Sequence, residues 1–247
     1  MKKKTKIIIF NEVEQLSKYF AKKLIKGIGK TADDEYYTIA LSGGSTPRAI
    51  FKYLASNYKN SIDWQKLQVF WGDERCVPPD DDDSNFKMAS ESLLNNVAIP
   101  KENTFRIKGE ENPEDEAKRY AELISKKVRS HDGYPRFDMI MLGLGTDGHT
   151  ASIFPDSQHL FDHDKLCAVV QHPESKQTRI TITGDIINHA KTAAFIATGE
   201  SKAIMVATII DQKEGWEKLP ASKVDPEKGR LLWLLDDQSA AKLKTKS

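Results

Sequence analysis

Short, nearly continuous apolar runs alternate along the chain with segments whose apolar residues recur every three or four positions. The runs occupy residues 7–10, 36–41, 67–71, 137–142, 193–198 and 231–235. Runs of this length and composition are typical of strands that are buried on both faces of a parallel sheet. Two further strands are predicted over residues 166–170 and 179–183.

The intervening segments predict helices, and two of these have recognisable starts. Asn11, with Glu14 three residues later, predicts a capping box ahead of apolar positions 16, 20, 24 and 28. Pro47 suits the first position of the next helix, with Ser45 or Thr46 as its cap. Further helices are predicted over residues 84–94, 114–129 and 200–210, the first of them capped by Ser84.

Strands that alternate with helices imply right-handed crossovers and a mostly parallel sheet flanked by helices. The chain shows no internal repeat, low-complexity linker or break in composition. We therefore expect a single Rossmann-like α/β domain over residues 1–247. The alternative is that the middle helices form a small cap on this domain.

Charge and cysteine content narrow the possible partners and location. The chain has 37 Lys and Arg against 36 Asp and Glu, a net charge of +1, which argues against nucleic acid or an anionic membrane as a partner. Cys76 and Cys167 are too few for a disulfide framework, which fits a reducing cytosol. The apolar run at residues 7–10 is too short for a signal peptide or a membrane span. We expect a cytoplasmic monomer or weak homodimer.

The stretch FDMIMLGLGTDGHTASIFP, residues 137–155, joins a predicted strand to a glycine-rich turn. The turn holds the sequence's only Asp-x-His pair, Asp147 and His149. Histidine is the side chain best suited to proton transfer near neutral pH, and a nearby carboxylate can orient it. The alternative is a tight turn whose histidine caps a helix. The remaining histidines lack this setting and are expected to be surface or packing residues: His131, His159, His163, His172 and His189.

Four loops directly follow predicted strands, at residues 43–47, 72–75, 143–149 and 198–202. In a parallel sheet the carboxyl ends of the strands share one edge, so these loops are expected to meet in one crevice.

The first loop offers glycines, hydroxyls and a helix start, which together suit a phosphate. Its residues are Gly43, Gly44, Ser45 and Thr46, and they match neither the P-loop spacing nor the GxSxG motif. Arg179, at a strand start, and Lys202, in the first turn of a helix, are candidates to complete the anion site. A plain turn with surface cations is the alternative.

Asp73 and Arg75 place opposite charges at the end of another strand. Asp73 is a candidate to bind sugar hydroxyls, and Arg75 to bind phosphate or a developing oxyanion. A surface ion pair within Asp73-Glu74-Arg75 is the alternative. The aspartates at residues 80–83 predict a solvated loop rather than a metal site. Neither an HExxH motif nor a cysteine pair is present, so we expect no metal and no cofactor.

Seven segments, in order, resemble the 6-phosphogluconolactonase family, whose fold is related to glucosamine-6-phosphate deaminases. They are LSGGSTP, GDER-VP followed by Ser84-Asn85, the stretch 137–155, RITIT, TGESKA, LPAS and LLWLLD. The resemblance implies hydrolysis of 6-phospho-D-glucono-1,5-lactone without metal or cofactor. It implies phosphate binding by the loop at 43–46 with Arg179 and Lys202, and it adds Gly145 to the substrate-binding residues.

Two other functions would use some of the same residues. In the deaminase branch the turn resembles DGHIAFNEP, with a catalytic glutamate before the proline, whereas this chain has Phe154 there. An aromatic side chain has no acid–base role in ring opening, which favours the lactonase. A sugar-phosphate sensor would need the phosphate loops but not Asp147 and His149, and would usually carry a further binding module.

Overall fold

The computed structural model describes residues 5–162 and 164–244, so the predicted role of His163 lies outside the described residues. In chain order its strands are β1 (Thr5–Phe10), β2 (Tyr37–Leu41), β3 (Leu67–Trp71), β4 (Asp73–Arg75), β5 (Ser130–His131), β6 (Tyr134–Pro135), β7 (Met139–Leu142), β8 (Cys167–Gln171), β9 (Thr178–Ile182), β10 (Thr192–Ala197) and β11 (Arg230–Asp236). The α-helices are α1 (Val13–Ile28), α2 (Ser45–Asn57), α3 (Asn85–Ser92), α4 (Pro113–Lys127), α5 (Gly184–His189) and α6 (Ala203–Ile210).

A six-stranded parallel sheet forms the centre of the fold, in the order β1-β11-β10-β7-β2-β3. The six apolar runs predicted as strands are these six strands. Every residue of β2, β3 and β7 is buried, as expected for strands covered on both faces. The mostly parallel α/β fold predicted from the sequence is confirmed.

Helix α1 buries the predicted apolar side chains at positions 16, 20, 24 and 28, and it packs against α2 and the sheet. The predicted capping box at its start is wrong. The first helical residue is Val13 and the cap position is Glu12, which makes no side-chain capping bond. Asn11 therefore lies one residue too early, and Glu14 too near the start, for the reciprocal bonds of a capping box.

The start of α2 is also displaced from the prediction. The cap position is Gly44, whose φ of +105° is readily adopted only by glycine, and the helix already begins at Ser45. Pro47 then occupies the third helical position. An N–H at this position would have no partner within the helix, so proline loses no helical hydrogen bond there. Ser84, by contrast, caps α3 as predicted by accepting a bond from the Lys87 N–H.

The strands predicted over residues 166–170 and 179–183 exist, but they lie outside the parallel sheet. They correspond to β8 and β9, which pair antiparallel with β4 in a three-stranded sheet of order β4-β9-β8. The chain crosses from one sheet to the other at Gly72, whose N–H bonds to the Leu41 carbonyl and whose carbonyl accepts from the Ile182 N–H. Helix α4 packs against β8 and β9.

The order of the parallel strands reverses between β2 and β7. The chain proceeds from β2 to β3 on one side, and from β7 to β10 and β11 on the other. A crevice at the carboxyl ends of two strands that diverge in this way is the usual ligand site of open α/β sheets. The loops that follow β2 and β7 are the two glycine-rich segments singled out in the sequence. Among the described residues, no helix has the length and apolar content needed to cross a membrane.

Candidate active site

Asp147 and His149 form a close pair in the turn after β7. Oδ1 of Asp147 lies 2.6 Å from Nδ1 of His149 and also accepts a bond of 3.1 Å from the His149 backbone N–H. Because Nδ1 is engaged by the carboxylate, Nε2 is the imidazole nitrogen available for proton exchange. The predicted orienting relationship between these two side chains is present.

The pKa of Asp147 reflects this pairing. Burial by itself would raise the pKa of the carboxyl, but the hydrogen bond and the charge interaction with His149 lower it to about 2. Asp147 is therefore an anion at any pH at which the fold is expected to operate.

Glycine at position 145 makes room for the pair. A Cβ atom there would lie 2.1 Å from Nδ1 of His149 and 2.5 Å from Oδ1 of Asp147. The turn is closed by bonds from the Gly145 N–H to the His149 carbonyl and from the Gly148 N–H to the Gly145 carbonyl. Gly148 has a φ of +83°, which suits glycine.

The loop after β2 is linked to two other loops of the site. Gly43 lies so close to the side chain of Asn85 that a Cβ on Gly43 would be 1.9 Å from the Asn85 amide oxygen. The hydroxyls of Thr46 and Thr198 are 2.6 Å apart and join this loop to the one after β10. The 13-residue helix α2 starts here, and its first-turn N–H groups and dipole favour an anion.

Arg75 and Arg179 are directly opposite each other on the antiparallel strands β4 and β9. Their Nε atoms are buried and have no hydrogen-bond partner within the part of the chain that the structure describes. Burial lowers the pKa of Arg179, and the neighbouring charge of Arg75 adds to that effect. Two like charges in a cross-strand pair repel each other, so an anion between them would relieve a real conflict.

Lys202 adds a third cation. It lies in a short 3-10 turn, Glu200–Lys202, immediately before α6, and not in the α-helix itself as predicted. Gly199, at the start of that turn, has a φ of +91° and donates its N–H to the carboxylate of Asp236 at 3.0 Å. The loop after β10 is therefore fixed by β11.

Asp73 is buried and held in place by its neighbours. Its Oδ2 accepts a 2.6 Å bond from the Ser152 hydroxyl, and its carbonyl accepts from the Asn85 side-chain N–H. The surface ion pair considered for residues 73–75 does not form. Instead, an Nη1–H group of Arg75 bonds to the Asp83 carbonyl, in the exposed aspartate loop.

The four loops meet in one cleft of about 300 Å³, as the sequence predicts. It is lined by His149 and by all the predicted substrate-binding residues, namely Gly43, Gly44, Ser45, Thr46, Asp73, Arg75, Gly145, Arg179 and Lys202. Asp147 does not line the cleft and reaches it only through His149. No cluster of three or more metal-ligating side chains is found among the described residues.

Two residues that contribute to the site were missed. Asn85 lines the cleft; the family resemblance includes it in the segment with Ser84, but no role in the site was predicted for it. Glu74 is buried at the start of α3, where its carboxylate accepts bonds from the N–H groups of residues 75, 85 and 86 and from the Ser84 hydroxyl. Burial raises the pKa of Glu74, and the three backbone bonds oppose that rise.

Phe154 contacts both the proposed acid–base residue His149 and the cation Arg179. Its fully buried ring is 4.8 Å from that of His149 and 5.0 Å from that of His172, and the Arg179 guanidinium lies 5.7 Å from its centre. His172, predicted to be a surface or packing residue, is thus a packing residue beside the site. The ring packs against the imidazole of His149 and attracts the Arg179 guanidinium through a cation–π interaction.

The chain is similar to proteins of known type. The sequence model of a family described as glucosamine-6-phosphate isomerases/6-phosphogluconolactonase matches residues 11–233. A 6-phosphogluconolactonase of Treponema pallidum (strain Nichols) is 44% identical over 175 residues, which cover 71% of this chain and 73% of that protein. A structure of 6-phosphogluconolactonase from Trypanosoma cruzi is 30% identical and has a TM-score of 0.86, covering 99% of each chain. A monomeric glucosamine-6-phosphate deaminase, 20% identical, shares the fold with a TM-score of 0.80 over 96% of this chain and 99% of that one.

Proposed function

The chain belongs to the glucosamine-6-phosphate isomerase/6-phosphogluconolactonase family, and we propose that within it the chain acts as a 6-phosphogluconolactonase. It hydrolyses 6-phospho-D-glucono-1,5-lactone to 6-phospho-D-gluconate, the second step of the oxidative pentose phosphate pathway. One observation carries the proposal: a single cleft brings together a glycine loop, three cations and His149, whose imidazole is paired with Asp147. The relatives named 6-phosphogluconolactonase support it.

The phosphate of the substrate binds at the loop formed by Gly43, Gly44, Ser45 and Thr46. Arg179 and Lys202 supply positive charge, and the N–H groups at the start of α2 supply donors. Arg75 shares the phosphate with Arg179, because side chains of a directly opposed cross-strand pair lie on the same face of the sheet. Asp73, in the same cleft, accepts bonds from the sugar hydroxyls, and Gly145 lets the substrate approach the turn.

His149 is the general base and then the general acid. Its imidazole takes a proton from water as the water oxygen bonds to C1 of the lactone, and backbone N–H groups of the cleft stabilise the resulting oxyanion. As the bond between C1 and the ring oxygen breaks, the imidazolium returns its proton to that oxygen, which would otherwise leave as an alkoxide. Asp147 stabilises the imidazolium between the two steps. The carboxylic acid product then releases one proton to solvent.

The nature of residue 154 separates this reaction from the deaminase reaction. The deaminase turn has a carboxylate before its proline, whereas here the position holds a buried phenylalanine packed on His149. One acid–base centre suffices for hydrolysis of an ester, but ring opening with proton transfer between carbons needs a second.

Substrate preference tests the proposal. We expect the purified chain to accelerate hydrolysis of freshly prepared 6-phosphogluconolactone and to release no ammonia from glucosamine 6-phosphate. Ammonia release at a comparable rate would overturn the choice of reaction. Binding of 6-phosphogluconate without faster lactone hydrolysis would instead identify a sugar-phosphate sensor.

We further infer a single domain over residues 1–247, cytoplasmic and monomeric or weakly dimeric, that binds no nucleic acid and needs no metal or cofactor. The free thiols of Cys76 and Cys167 and the net charge of +1 support the location and the partners. A hydrophobic core to which both the parallel and the antiparallel sheet contribute supports the single domain.

A further inference from the structure

A second cavity lies at the amino ends of the parallel strands, at the sheet edge opposite the active-site cleft. It encloses about 890 Å³ and is lined by the starts of β2, β7, β10 and β11 and by the last turns of α1 and α4. We call it the amino-edge groove. Strand β10 has six residues; at about 3.3 Å per residue, the groove and the cleft are roughly 20 Å apart.

The groove is strongly basic. Nine Lys and Arg side chains line it against three Asp and Glu, a local excess of six positive charges in a chain whose net charge is only +1. A concave surface with one sign of charge focuses the electrostatic potential and raises the local concentration of oppositely charged ligands.

Most of these cations have no acidic partner. Arg129 pairs with Glu35, and Lys191 pairs with Asp138 at 2.6 Å. For the other seven, no carboxylate lies within ion-pair distance among residues 5–162 and 164–244. One of the seven is Arg136, whose buried Nε has no hydrogen-bond partner within the same described residues.

Helix dipoles explain only part of this charge. Lys26 lies in the last turn of α1, and Lys126 and Lys127 lie in the last turn of α4, where cations are favourable. Each helix end is equivalent to about half a negative charge, so the two together offset about one of the six positive charges. Arg136, Lys191 and Arg230 lie on strand starts or loops and gain nothing from a helix end.

We propose that the amino-edge groove binds a small soluble oligophosphate carrying at least two phosphoryl groups. Its volume lies in the range of small-molecule sites. Asp34 and Glu35 interrupt the basic lining, which disfavours a long nucleic acid backbone. Tyr36, 48% exposed on the lining, offers a ring on which a base can stack, so a nucleoside polyphosphate is one source of this chemistry and inorganic oligophosphate the other.

Titration calorimetry of the whole chain with tripolyphosphate and with ATP, without divalent cations, tests the proposal. The groove variant is Lys26→Gln/Lys30→Gln. Its matched control is Lys18→Gln/Lys22→Gln, which removes the same charge from exposed positions of α1 outside the groove. Lys202→Gln removes a cation from the active-site cleft and identifies any binding that occurs there.

We expect both probes to bind the wild type and the control, and the groove variant to bind about tenfold more weakly, with lactone hydrolysis unchanged. Tyr36→Ser should weaken ATP alone if the natural ligand is a nucleotide, and neither probe if it is inorganic oligophosphate. Equal binding by the groove variant and the wild type overturns the proposal, and so does binding lost in Lys202→Gln but kept in the groove variant. A single-stranded oligonucleotide that binds more tightly than ATP overturns the assignment to a small ligand. The binding results do not depend on whether the chain hydrolyses the lactone.

Discussion

Arg75 and Arg179 are registered directly opposite each other on β4 and β9, with both Nε atoms buried and without a hydrogen-bond partner among the described residues. A like-charged cross-strand pair destabilises a sheet unless an anion lies between the two charges. We interpret the pair as a built anion site whose repulsion is relieved when the substrate phosphate binds.

Replacing Arg179 by Gln should therefore separate binding from stability. KM should rise about 10- to 100-fold, since a lost charged hydrogen bond costs about 1.5–3 kcal/mol. The ligand-free protein should be as stable as the wild type or more so, and thermal stabilisation by 6-phosphogluconate should shrink. The KM of Arg179→Lys, which keeps the charge, should lie between those of the wild type and Arg179→Gln. Unchanged KM in Arg179→Gln would exclude the phosphate role.

A methyl group at position 145 should displace the Asp147–His149 pair while both of these residues stay unchanged. In Gly145→Ala the new Cβ would collide with His149 and Asp147. Displacement of an acid–base group by about 1 Å can reduce turnover about 10²-fold. Gly143→Ala is the matched control, because its Cβ would meet only the Ser42 hydroxyl at 3.5 Å. Steady-state kcat that falls equally in both variants would contradict the positioning argument.

Asp147→Asn should lower kcat by about 10²-fold or more, because an amide neither stabilises the imidazolium nor fixes the same tautomer. The pKa of about 2 means that Asp147 is ionised throughout pH 5–9, so the loss of kcat should be present over that whole range. A variant whose kcat equals that of the wild type in this range would show that the ionised carboxylate contributes nothing to turnover.

The same lowered pKa has a consequence for stability. A carboxyl whose folded pKa lies below its unfolded value of about 3.9 stabilises the fold above that value, and the contribution is lost as pH falls towards the folded pKa. The stability advantage of the wild type over Asp147→Asn should thus narrow between pH 5 and pH 3 in urea unfolding. An advantage that grows on acidification would be inconsistent with the ion pair.

Glu74→Gln tests the carboxylate at the start of α3. An amide has one acceptor oxygen and would leave two of the four donors around Glu74 unpaired. The expected loss is about 2–4 kcal/mol of unfolding free energy. Glu91→Gln, on an exposed position of the same helix, should change stability by no more than about 0.5 kcal/mol. Equal stabilities of the two variants would show that the buried bonds contribute little.

Sequence alone predicted the parts of this molecule that depend on local pattern. Apolar runs located the six parallel strands, and the loops after them met in one cleft because parallel strands share an edge. Prediction from local sequence pattern failed where tertiary contacts determine the structure. Gly44, not Ser45 or Thr46, occupies the cap position of α2, because the loop needs a positive φ there.

The role of Glu74 could not be predicted from local sequence pattern for a similar reason. It meets Asn85 only because β4 leaves the parallel sheet to pair with β9, a topology that no pattern of apolar residues specifies. The packing of Phe154 against His149, His172 and Arg179 likewise joins segments that are far apart in the chain.

In the proposed mechanism, His149 carries the proton in lactone hydrolysis. The most direct test is the initial rate of proton release from fresh 6-phosphogluconolactone by wild type and His149→Ala, each corrected for spontaneous hydrolysis, with 6-phosphogluconate affinity measured in parallel. We predict that the variant loses about 10²- to 10⁴-fold in turnover while it still binds 6-phosphogluconate. A variant that turns over the lactone near the wild-type rate would contradict the mechanism.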